Sequence, residues 1–145
     1  MFKKNFFVTL LGFSLLTTSF TAFAQKTGAQ EKPVQVADVE TLMDNISDYQ
    51  GKKVTVTGEV EDVIDKKSII VESGGIINDE IVVIGRDSLN PKALKEDAKV
   101  QVTGTVRAVP VVEVEREVGW DLEPEVEAEL KAVNVFLVAD EIKPI

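Results

Sequence analysis

The sequence predicts a small, mainly β protein built as a closed five-stranded barrel, and three observations carry that expectation. Val54-Thr55-Val56-Thr57-Gly58-Glu59-Val60 and Val100-Gln101-Val102-Thr103-Gly104-Thr105-Val106 echo each other, each alternating apolar and polar residues at period two. Both place a glycine where the next inward side chain would stand, which suits a long strand bending as a sheet closes on itself. Three further short apolar runs, bounded by turn residues, supply the remaining strands.

The elements follow in order. From Asp38, a plausible N-cap, Val39, Leu42, Met43 and Ile46 recur at helical spacing, and Tyr49 and Gly51 close the helix. The first barrel strand is expected over about Lys52 to Ile64. Its apolar positions shift between Val60 and Val63, as a bulge would produce. The second strand is Ser68 to Glu72, Gly74-Gly75 opens the turn, and the third is Glu80 to Arg86. Pro91 and the run Lys92 to Asp97 predict one short helical turn. The fourth strand spans Lys99 to about Val109. After Pro110 the period changes: Val111, Val114 and Val118 share one helical face, Gly119 interrupts, and Pro124 opens a second helix carrying Val126 and Leu130. The last strand is about Val133 to Ile142. Five strands with the echoing pair first and fourth, an N-terminal helix and a helical insertion before the fifth strand make an OB-fold barrel.

Residues 1–24 read as a cleavable signal peptide: Lys3 and Lys4, an apolar run from Phe6 to Phe20, then Ala22-Phe23-Ala24 as an A-x-A site. Residues 25–35 read as a flexible leader and 36–145 as the OB-fold domain. No cysteine stands at the cleavage site for lipid attachment, so no membrane anchor is expected after cleavage, and the protein is expected in the periplasm or secreted. Lys3 and Lys4 leave with the signal, so 14 basic side chains face 25 acidic ones in the mature chain, a net charge of −11. With no cysteine there is no disulfide framework and no thiolate chemistry.

The run Ile46-Ser47-Asp48-Tyr49-Gln50-Gly51-Lys52-Lys53, continuing through Val54 to Val60, resembles the opening of small exported bacterial OB-fold proteins. Val114-Glu115-Arg116-Glu117-Val118-Gly119-Trp120-Asp121-Leu122, with Glu125 to Glu129 and Val135 to Ile142, resembles a narrower, largely uncharacterised group of them. The resemblance covers nearly the whole mature chain. It implies fold and export, and it transfers no catalytic or binding residue. The better-known bacterial OB-fold periplasmic family is similar in architecture; cation or small-molecule binding is suggested for it, and no motif of this chain carries that role across.

The residue types constrain chemistry further. Single-stranded nucleic acid requires a basic groove and aromatic platforms. The mature chain is acidic, and its aromatics are Tyr49, Trp120 and Phe136, so no nucleic acid is expected as partner. Lys52, Lys53, Lys66 and Lys67 read as solubilising residues. For a divalent cation such as calcium, oxygen-bearing side chains cluster at two loops: Glu61, Asp62 and Asp65 at the first turn, and Asn78, Asp79 and Glu80 entering the third strand. Asp62, Asp65, Asp79 and Glu80 are the candidate metal ligands if the two loops approach each other. Otherwise they are solvated turn carboxylates, and no cofactor is required.

The insertion carries Glu113, Glu115, Glu117, Asp121, Glu123, Glu125, Glu127 and Glu129. It reads either as an acidic docking face for a basic partner or as a solvated cap over a barrel end, with Glu127 and Lys131 as an i,i+4 pair. Trp120 sits at the joint of its helices, as an anchor for a ligand or as a packed indole whose N–H finds a carboxylate or carbonyl. Arg116 is placed to stack on Trp120 or to pair with Glu113. The candidate ligand-binding set is therefore Trp120, Arg116, Glu123 and Glu127. Arg86 and Arg107 either bind an anion together or pair with carboxylates. There is no histidine to serve as a base, and Ser68, Ser73 and Ser88 lack a nucleophile-elbow context, so no enzyme is expected. The function expected is a non-enzymatic binding module, its partner an envelope protein or a small ligand.

Overall fold

The computed structural model describes residues 31–76, 79–90, 92–133 and 135–145. The expected signal peptide, the start of the leader, Asn78 and Pro91 lie outside them. Among the described residues the elements run in chain order: β1 (Val34–Gln35), α1 (Val39–Asp44), α2 (Ile46–Tyr49), β2 (Lys53–Val63), β3 (Ser68–Glu72), β4 (Glu80–Gly85), β5 (Lys99–Arg107), α3 (Val111–Val118), α4 (Pro124–Ala132) and β6 (Phe136–Pro144).

The long strand β2 closes the barrel because its two halves pair with different neighbours. Lys53 to Glu59 face β5, whereas Glu59 to Val63 face β3 across a bulge between Val60 and Asp62. The order continues through β4, which pairs parallel with β6, and β6 pairs antiparallel with β5. Read around the barrel this is β2-β3-β4-β6-β5 and back to β2, the OB topology. The echo between β2 and β5 is a direct pairing: Val54 faces Gly104, and Gly58 faces Val100.

Inward residues at period two fill the barrel: Val54, Val56 and Val60 of β2, Ile69 and Val71 of β3, Ile81 and Val83 of β4, and Val100, Val102 and Val106 of β5. α1 adds Val39 and Leu42 to this core, started by the Asp38 side chain, which accepts from the Thr41 N–H at 2.9 Å. The expected N-terminal helix is split in two at Asn45. β1 lies parallel to β2 where β3 does not reach, pairing Val34 with Val54 and Gln35 with Thr55. The barrel's backbone pairing thus begins within residues expected to be leader.

Two expectations are corrected. The run Lys92 to Asp97 forms turns rather than a helical turn. Asn90 accepts from Ala93 through its carbonyl and from the Lys92 N–H through its side chain, while the Asp97 N–H and the Ala98 carbonyl are drawn to Val60 at the β2 bulge. Those bonds to the barrel replace i→i−4 bonds, and Asp97 takes φ of 64°. The insertion, in turn, covers no barrel end. Its stripe of Val114, Val126 and Leu130, joined by Leu122, packs on the outer face of β4 and β6 against Val82, Ile84, Phe136 and Val138. Those strands are apolar on both faces, so they need a second layer outside the barrel.

Candidate functional site

OB barrels bind along the outer face of their second and third strands and between the loops that join strands one to two and four to five. Here the outward row of β3 and β4 pairs Ser68 with Ile84, Ile70 with Val82, and Glu72 with Glu80. Its apolar part belongs to the second core beneath α3 and α4. The protein's own insertion therefore occupies much of that face. What stays open is a cleft of about 710 Å³ between the β2–β3 turn and the α3–α4 joint, lined by Ile64, Asp65, Lys66, Lys67, Ser88, Trp120, Asp121, Glu123 and Glu125.

Local backbone chemistry fixes both walls. Asp65 accepts the Lys67 N–H at 2.6 Å, an Asx turn. The Lys67 carbonyl accepts from Gly85 at 2.7 Å and the Lys66 carbonyl from Leu89 at 3.0 Å, so the turn is tied to the end of β4 and the loop beyond it. On the opposite wall α3 ends at Gly119, whose φ of 83° turns the chain out of the helix. Glu115 reaches across the joint to accept the Leu122 N–H at 3.0 Å. Trp120 is held between, its body packed against the second core and its ring under the Lys67 ammonium, 4.2 Å from the centroid. The cation on the ring is Lys67, and Arg116 is exposed on α3. The expected acceptor for the indole is also missing: among the described residues the buried Trp120 Nε1 meets no hydrogen-bond partner.

Of the four residues expected to bind a ligand, the cleft gathers Trp120 and Glu123. Arg116 lies outside it, and Glu127 pairs with Lys131 at 2.9 Å along α4. Lys66 and Lys67, which read in the sequence as solubilising residues, line the cleft. The signal that would have found them was the topology itself, since an OB barrel sets the β2–β3 turn beside the β5–β6 insertion.

The candidate metal ligands do not converge. Asp62 accepts the Val63 N–H and Asp65 serves the turn, whereas Glu80 lies opposite Glu72 at the far end of β3, with Asp79 beside it. The five residues of β3 separate Asp65 from Glu80 by roughly 13 Å of strand. Among the described residues no group of three carboxylates could hold a metal ion. The bulge instead brings Glu61 to Glu80. The hydrogen bond that the protonated Glu61 carboxyl donates to Glu80, together with burial and the charges of Glu80 and Asp62, raises the Glu61 carboxyl above its ordinary value.

Arg86 and Arg107 converge on one carboxylate. Arg86 Nη2 meets Glu117 Oε1 and Arg107 Nε meets Glu117 Oε2, each at 2.8 Å, while Arg86 Nε binds Asp140 at 2.9 Å and Lys53 binds the same aspartate at 2.9 Å. Burial opposes the charge on Asp140, but hydrogen bonds from Lys53 and Arg86 outweigh it and hold the carboxyl below its ordinary value. This chain of charges pins α3 to β2, β4, β5 and β6 and commits both arginines to structure.

No protein-family model matches the sequence, and no curated protein does. Similar solved structures include an aspartyl-tRNA synthetase from Leishmania major, 13% identical with TM-score 0.46 over 83% of this chain and 22% of that one. An asparaginyl-tRNA synthetase from Entamoeba histolytica, in complex with asparaginyl-adenylate, is 20% identical with TM-score 0.43 over 79% and 24%. A replication protein A heterotrimer bound to single-stranded DNA is 12% identical with TM-score 0.37 over 64% and 57%. The chain thus spans about a fifth of the synthetases' length. Likeness at this level carries no activity across.

Proposed function

We propose that the protein is an exported, non-enzymatic OB-fold binding module that holds a basic segment of an envelope protein in the cleft between the β2–β3 turn and the α3–α4 joint. The observation that supports this most is the cleft's position and lining. It lies at the loops OB barrels use for binding, beside an outer face already filled by α3 and α4, and Asp121, Glu123 and Glu125 form its insertion wall. Acidic side chains around a partly apolar floor favour a cationic protein segment and repel phosphates, in a molecule whose net charge is already negative. The groups present bind rather than react: Ser88 stands in the cleft of a chain without histidine or cysteine.

Trp120 is the only tryptophan, so its emission reports on the cleft directly. Titration with a short lysine- and arginine-rich peptide is expected to change that emission saturably, and a glutamate-rich peptide or oligothymidylate is expected to leave it unchanged. Charge reversal of Asp121, Glu123 and Glu125 together should abolish the response. A response to oligothymidylate alone, or none to any probe with calorimetry also silent, overturns the reading.

A further inference from the structure

The face of Trp120 already holds a cation, and that cation is the chain's own. The Lys67 ammonium sits 4.2 Å from the ring centroid, and among the described residues no carboxylate lies within 4.0 Å of it. In a cleft also lined by Asp65, Asp121, Glu123 and Glu125, the Lys67 ammonium pairs with none of these carboxylates and takes the aromatic face instead. Its backbone, meanwhile, is fixed independently through the Asp65 carboxylate and the Gly85 N–H. The side chain can therefore leave the ring without the turn moving.

The geometry points to Trp120 as a seat for an external organic cation, the guanidinium or ammonium of a basic segment, with Lys67 as the internal occupant that such a ligand displaces. This rests on the binding reading above and adds what the cleft recognises. A ring face attracts a cation through its quadrupole, and the carboxylates on the rim add long-range attraction. Nearby charge also sharpens the choice of ligand: with Lys67 on the ring, a neutral side chain of the same shape gains nothing by displacing it.

The test uses a short, end-blocked arginine peptide, its citrulline counterpart and a glutamate peptide, with binding followed by calorimetry and Trp120 emission. In the free protein Lys67→Ala is expected to shift the Trp120 emission, whereas Lys66→Ala, which removes the same charge from the same cleft, is not. Lys67→Ala should tighten the arginine peptide about two- to fivefold more than Lys66→Ala does. Trp120→Phe should weaken it, and citrulline should bind neither wild type nor Lys67→Ala. Thermal midpoints near wild type would show that the variants fold. Equal effects of the two lysine substitutions, with the arginine peptide still bound, overturn the displacement while leaving the binding reading standing. Loss of arginine-peptide affinity in Lys67→Ala makes Lys67 part of the seat rather than its occupant, and capture of the glutamate peptide makes the lysines an anion seat; either result overturns the displacement as well. If no peptide binds any variant, the binding reading itself fails and takes the displacement with it.

Discussion

At the scale of single residues, space and charge set the tolerance of this barrel. A Cβ on Gly104 would strike the Val138 carbonyl oxygen and stand 2.8 Å from the Ala139 Cα, where β5 and β6 cross at a register shift. Nothing lies within 4 Å of a Cβ on Gly119, whose φ of 83° is the sole obstacle to a side chain. Gly104→Ala is therefore expected to cost about 3 kcal/mol in urea unfolding. Gly119→Ala should cost about 1–2 kcal/mol. The glycine echo in the sequence announced the first of these, because period two fixed which way the missing side chain would point. Charge acts through Glu61 and Asp140 in opposite senses. Glu61 is raised when folded, so between its ordinary value near 4.5 and the raised one the folded state holds the extra proton and stability falls as pH rises. Glu61→Gln should raise the thermal midpoint at pH 7, and the gain should vanish near pH 3. Asp140 is lowered when folded, so its contribution is present above about 3.8 and is lost as pH falls through the folded value. Asp140→Asn should lower the midpoint at pH 7 and converge with wild type in strong acid. Midpoints measured across pH for both variants check the two signs.

At the scale of elements, the insertion was legible and its seat was not. The stripe Val111, Val114, Val118, Val126 and Leu130 marked two helices, and Gly119 and Pro124 marked their ends, because helical period and capping are local properties. Where that stripe would land depends on which strands are apolar on their outer face. Val82 and Ile84 sit in a continuous apolar run, which reads equally as a strand buried on both faces and as a strand with an idle outer side. The cleft escaped for the same reason: Lys67 and Trp120 are 53 residues apart and meet only through barrel topology. Glu117 reads in the sequence as one more surface glutamate, yet it accepts a hydrogen bond from Arg86 and forms an ion pair with Arg107, and its side chain is 21% exposed. Glu117→Ala leaves two half-buried guanidinium groups short of a partner and should cost about 1–2 kcal/mol. Glu127→Ala breaks only the exposed pair with Lys131 and should cost about 0.3–0.5 kcal/mol. Limited proteolysis between Pro110 and Val133 should accelerate in the first variant and not in the second.

At the scale of the whole molecule, two cores share β4 and β6, and this decides whether the insertion is a removable accessory or part of the fold. Ile81, Val83 and Leu137 face the barrel interior, while Val82, Ile84, Phe136 and Val138 face α3 and α4, all of them nearly inaccessible to solvent. Taking α3 and α4 away would expose one contiguous apolar row running across β3, β4 and β6. A patch of that kind on a soluble monomer becomes a surface for self-association. Solvating charge leaves with the insertion too, since eight of the 25 acidic side chains lie on it against two basic ones, Arg116 and Lys131. Replacing residues 110–134 with a short glycine-serine linker is therefore expected to give a protein that retains strand signal in circular dichroism, binds a hydrophobic dye, and elutes as oligomers in gel filtration. A monomeric, dye-silent product would show that the barrel stands alone and that α3 and α4 rest on it without completing it. The intact protein should correspondingly unfold in one transition, with Trp120 emission at the joint and far-ultraviolet dichroism of the strands giving the same midpoint, because the second core fails when either of its walls does.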